Sequence, residues 1–92
     1  MEFITNYAEP WALVRWGGDE SGKRPRTRLA FVREAIAENG RIVAYRAHTR
    51  TGYGAWTKRP RRFTPGEVIK TWRHCPSATA IRRTRERLPV TA

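Results

Sequence analysis

Ninety-two residues make one small domain with a thin core, and four Trp, three Tyr and three Phe among 39% hydrophobic residues favour a compact fold over disorder. The formal net charge of +11 directs the search for partners towards polyanions. No run of about 18 apolar residues is present, which argues against a membrane span, and the N-terminal MEFITNYAEPW has neither the basic start nor the long apolar stretch of a signal peptide. Cys75 is the only cysteine, so no internal disulfide forms and a reducing compartment is expected. The expectation is one cytoplasmic domain over residues 1–92, monomeric or homodimeric, with residues 1–8 and 89–92 loose.

Trp11–Trp16 (WALVRW) follows Pro10, ends at Gly17-Gly18 and carries large apolar groups on both alternating faces, which predicts a covered strand. The next stretch, GGDESGKRPR over residues 17–26, reads as a loop that ends in the basic tract Lys23-Arg24-Pro25-Arg26. Residues 28–38 admit two readings. Thr27 as N-cap, Asn39-Gly40 as C-cap, the Ala and Glu content and a shared face of Leu29, Val32 and Ile36 favour a helix. The alternative is a strand that turns through a type I′ Asn39-Gly40 into Arg41–His48.

Arg41–His48 alternates as a strand. Thr49–Gly52 reads as a turn, and Tyr53–Lys58 as the returning partner strand, with Tyr45 and Trp56 able to meet across the hairpin. Thr64-Pro65-Gly66-Glu67 is a capping box with Pro at the first position, which predicts a helix to about His74 with Val68 and Trp72 on its core face. Pro76 stops that helix, and Ser77 caps another, ATAIRRTRERL, with Ile81, Thr84 and Leu88 as its apolar stripe. The sum is an α+β domain: a short antiparallel sheet of about three strands packed with two to three helices.

The charge is unevenly spread along these elements. Residues 1–40 hold six basic side chains (Arg15, Lys23, Arg24, Arg26, Arg28, Arg33) and six acidic ones. Residues 41–92 hold thirteen basic side chains against only Glu67 and Glu86, so that half carries the whole +11. Sixteen of the nineteen basic residues are Arg, whose planar fork fits phosphate and guanine and stacks on bases. A GC-rich genome raises the Arg share too, but it does not account for the net charge.

Basic residues interleaved with aromatics between Arg41 and Phe63 suit nucleic acid. Arg46, Arg50, Lys58, Arg59, Arg61 and Arg62 would replace counterions along phosphates, and Tyr53 and Trp56 would stack on bases. The last helix adds Arg82, Arg83, Arg85 and Arg87, and with the helix before it faintly outlines a helix-turn-helix. Against these readings, single rings such as Tyr45 and Trp56 are more often core residues, and an Arg-rich helix is often only a solvated face.

A catalytic reading rests on His48 and His74, the only histidines, as an acid–base pair for RNA cleavage. The string TKRPRRFTPGEVIKTWR, residues 57–73, resembles the C-terminal part of RelE/HigB-type ribonuclease toxins, which set a basic strand before a Thr-Pro and an Ile/Val-rich helix. The strand order of that family is not evident upstream. The resemblance implies ribonuclease activity. One cysteine and two scattered histidines match no metal pattern, and no Gly-rich phosphate loop appears, so neither metal nor cofactor is expected. The reading adopted is a nucleic-acid-binding protein that contacts the phosphate backbone through its Arg-rich C-terminal half. One alternative is a phage- or mobile-element-type inhibitor of an acidic protein partner or a nucleic-acid-processing complex. The other is the ribonuclease.

Overall fold

The computed structural model describes residues 1–18, 22, 24–51 and 53–88. They form strands β1 (Glu2–Ile4), β2 (Trp11–Gly17), β3 (Pro25–Glu38), β4 (Arg41–Thr49), β5 (Arg61–Phe63) and β6 (Val68–Trp72), followed by a helix, α1 (Ala78–Glu86). All strand pairs are antiparallel, in the order β5-β4-β3-β2-β6, and β1 pairs with the far end of β3. The expected α+β arrangement of about three strands with two to three helices is therefore corrected. The architecture is a six-stranded antiparallel sheet with a single C-terminal helix.

The largest correction is at residues 28–38, which belong to a fourteen-residue strand and not to a helix. Asn39 and Gly40 both have positive φ, 54° and 74°, as a two-residue type I′ hairpin turn requires. Leu29 and Val32, which a helix would set on one face, lie on opposite faces of this strand, and of the two only Val32 joins the main core. Pairing of β3 with β4 shifts between Val32 and Glu34, so Arg33 is an extra, bulged residue. Ala30, Val32 and Ala35 consequently share one face and all join the main core.

The second correction follows the Thr64 box. Thr64 N–H donates to Glu67 Oε1 at 2.9 Å, and a single 3-10 turn forms over Pro65–Glu67. The chain then enters β6, where Val14 faces Val68 and Ala12 faces Thr71. The β-branched Val68, Ile69 and Thr71 fit a pleated surface better than a helix. With residues 68–72 in a strand, no helix-turn-helix exists here. The third correction concerns Tyr53–Lys58. Among the described residues only Trp56 bridges back, to Arg50, and the edge of β4 is taken by β5 instead. Tyr45 therefore meets Phe63 and Tyr7 rather than Trp56. The expected β2 and β4 strands and the Ser77-capped helix are present, the last with Ala80 N–H donating to Ser77 Oγ at 3.1 Å. Residues 2–4, expected to be loose, pair with β3. Lys23 of the basic tract, Gly52 of the expected turn and the tail 89–92 lie outside the described residues.

The sheet is strongly curled. Trp16 on β2 and Phe63 on β5 are three strand spacings apart, roughly 14 Å in a flat sheet, yet their ring centroids are 5.4 Å apart. The 3-10 turn joins the two edge strands and touches both β2 and β4. Inside the curl lies the main core: Ala12, Val14, Ala30, Val32, Ala35, Tyr45, Ala47 and Phe63. Small Ala side chains on three adjacent strands leave the room that Tyr45 and Phe63 fill. On the outer face, Leu13 and Leu29 are paired across β2 and β3 and are buried. Near them Arg85 Nη2 donates to the Thr27 carbonyl at 3.0 Å, and Ile81 of α1 shares a cleft with Leu29.

Candidate nucleic-acid interface

Cross-strand partners project from the same face of a sheet. Register therefore assembles a row that no local stretch of sequence contains: Trp72 faces Trp11, Trp11 faces Phe31, and Phe31 faces His48. Four rings thus cross β6, β2, β3 and β4 on the outer face, beside the part near α1. Trp11 meets Phe31 edge-to-face at 5.1 Å. Trp56 joins from the segment after β4, with its ring centroid 6.0 Å from that of Trp11.

Thr57 holds that segment in place. Its N–H donates to the Thr49 carbonyl at 3.0 Å, its Oγ1 accepts from Thr49 N–H at 3.1 Å, and its carbonyl lies 2.8 Å from His48 Nδ1. The result is an open pocket of about 300 Å³ lined by Trp11, Phe31, His48, Trp56 and Thr57. Phe31 and Trp56 are each 40% exposed despite their size. A large apolar row left open on a charged domain marks a binding surface more readily than a fold requirement.

Cations surround the row. Lys70 Nζ sits 5.6 Å from the Trp72 ring centroid. Arg50, two residues beyond His48 on the same face, bridges to Trp56 and gives its N–H to Leu29. Arg62 faces Arg46 across β4 and β5, but Arg46 is engaged by Glu34 at 2.7 Å. Arg61 and Arg62 are neighbours in a strand and so point to opposite faces. Arg62 lies on the aromatic side, whereas the Arg61 guanidinium stands over the Trp16 and Phe63 rings at 5.4 and 5.8 Å.

The expected site residues thus fall into separate groups. Arg50, Trp56 and Arg62 are brought to the row. Tyr53 is fully exposed, but at the tip of the turn braced by Thr51 Oγ1. Lys58 and Arg59 are exposed on the link to β5. Arg82, Arg83 and Arg87 are exposed on or just after α1, and Arg85 is engaged by Thr27. His48 lies in the row, whereas His74 is exposed in the turn after β6. Two strands separate β4 from β6, which does not make the two histidines a pair. The helix that the ribonuclease resemblance requires after Thr64-Pro65 is strand β6.

Trp11, Phe31 and Trp72 were missed as site residues because each looks like core within its own element. Their exposure depends on register between strands distant in sequence. Among the described residues, no three His, Cys, Asp or Glu side chains gather as a metal ion would need, and no helix is long and apolar enough to cross a membrane. No family model, curated protein or solved structure matches the chain.

Proposed function

We propose that this protein binds single-stranded nucleic acid, stacking unpaired bases on the outer aromatic row while the surrounding cations contact the phosphates. The observation that carries the reading is the row Trp72–Trp11–Phe31–His48 with Trp56 above it, open on a domain of net charge +11. Aromatic platforms in positive surroundings suit single strands because every base has a π face. Inside a duplex the bases are already stacked on each other, so a flat row offers them little. Arg50, Arg62 and Lys70 border the row on this reading, with Lys58, Arg59, Arg82, Arg83 and Arg87 as a wider electrostatic field.

Fluorescence anisotropy of labelled single- and double-stranded DNA and RNA, across a salt series, tests it. The expected result is preference for a single strand and a steep fall in affinity with salt. Weak and equal binding to all four ligands would reassign the surface to an acidic protein partner.

A further inference from the structure

A second, more polar cleft of about 460 Å³ shares Phe31 and His48 with the aromatic pocket, and its lining includes Thr5, Asn6, Pro10 and Arg33. Two local features build it. The bulge between Val32 and Glu34 keeps two consecutive charged residues, Arg33 and Glu34, out of the interior. The turn between β1 and β2 then runs along the same edge of β3, tied there by Val32 N–H donating to the Pro10 carbonyl at 2.6 Å. Thr5 and Asn6 are thereby held in the same cleft as Arg33.

The charge state of the cleft is informative. Glu34, the nearest carboxylate in sequence, is engaged by Arg46. The exposed Arg33 side chain has no hydrogen bond or ion pair among the described residues. A free guanidinium beside a hydroxyl and an amide, next to a stacking surface, is the chemistry that holds a phosphodiester.

We propose that this cleft is the phosphate subsite for the nucleotide whose base stacks on Phe31 and Trp11, with Arg33 as its principal ligand. The inference rests on the nucleic-acid reading above. It assigns a contact to the electrically neutral half of the chain, and it sets the path of the strand, across the sheet from Trp56 towards the Thr5–Pro10 turn.

The test is anisotropy with a labelled ten-nucleotide oligothymidylate across a salt series, using wild type, Arg33→Gln, Arg33→Lys, Phe31→Ala and the Arg33→Gln/Phe31→Ala double variant. Arg33 is exposed on a bulge, so its variants should fold, as circular dichroism will verify. The expected result is about fivefold weaker binding for Arg33→Gln, with a log–log salt slope shallower by about 0.7, the value of one phosphate contact on a single strand. Arg33→Lys should recover the slope. In the Phe31→Ala background the Arg33 effect should shrink below about twofold, because both side chains hold one nucleotide. If Phe31→Ala weakens binding while Arg33→Gln changes neither affinity nor slope, the subsite is wrong and the nucleic-acid reading stands. A full Arg33 effect in the Phe31→Ala background overturns the shared nucleotide in the same way. A wild type that does not bind the oligonucleotide overturns both.

Discussion

His48 Nδ1 lies 2.8 Å from the carbonyl oxygen of Thr57. A carbonyl can only accept, so Nδ1 carries the proton in this contact. The bond ties the floor of the aromatic row to the segment that carries Trp56, and Thr57 Oγ1 adds a second tie to the buried Thr49 N–H. Replacing Thr57 by Val preserves volume but leaves that amide without its partner. The expected cost is about 1–2 kcal/mol of stability in urea unfolding, together with increased solvent quenching of Trp emission as Trp56 loosens.

Trp56→Ala separates binding from folding. Trp56 is 40% exposed and lies outside the main core, so thermal stability should fall only slightly. Loss of one stacking ring should weaken single-strand binding by about 1–3 kcal/mol. Trp11→Ala should weaken binding comparably and also destabilise, since Trp11 meets both Phe31 and Trp56. Parallel anisotropy and melting measurements on the two variants check both statements.

Arg61 and Arg62 should behave differently although they are adjacent. Arg62→Gln removes a cation from the aromatic side and is expected to lower the salt slope by about 0.7. Arg61→Gln removes a cation–π contact with Trp16 and Phe63, worth about 0.5–1 kcal/mol. It should therefore appear mainly as a lower midpoint in denaturant. Equal effects of the two variants on the slope would contradict the assignment of faces.

Tyr45 gives the fold a signature at alkaline pH. Burial, reinforced by a hydrogen bond with Tyr7, pushes its phenol from 10.0 up to about 12. The folded state therefore keeps a proton that the unfolded chain begins to lose near pH 10. The Tyr45 contribution to stability is complete below about pH 10 and is lost as pH rises from 10 to 12, by an amount on the order of 2 kcal/mol. Urea unfolding of wild type and Tyr45→Phe between pH 9 and 12 should show the variant losing less stability over that interval.

Sequence reasoning recovered the elements whose signals are local. β2 and β4 follow from alternation between clear turn residues, and α1 follows from the Ser77 cap and Pro76. It failed where a short-range signal was real but limited in reach. The Thr64 capping box forms, yet it commits only one turn, because pairing of Val68–Trp72 with β2 outweighs continuation of a helix. At residues 28–38 the spacing of Leu29, Val32 and Ile36 and the Ala and Glu content fit a helix locally, but pairing with β2 on one side and β4 on the other holds the segment as a strand. The positive φ at Asn39 and Gly40 supports the hairpin that Asn-Gly itself suggested.

The candidate site was legible in its charge and only partly in its shape. Arg50, Trp56 and Arg62 stand out as cations and an aromatic in one basic stretch. Trp11, Phe31, Trp72 and Arg33 do not, because their meeting depends on the register of β6, β2, β3 and β4 and on one bulge. An alternating strand with aromatics on its nominally buried positions gives no local indication of which face stays open.

On the proposed function, bases and not phosphates alone are held on the row. The decisive comparison is between a ten-nucleotide oligothymidylate and a ten-unit abasic deoxyribose-phosphate strand of equal charge, in anisotropy at fixed moderate salt. Stacking on Trp11, Phe31 and Trp56 predicts that the abasic strand binds at least about tenfold more weakly, since each stacked base contributes about 1–3 kcal/mol. Equal affinity for the two strands would show a purely electrostatic surface, with no base held on the row.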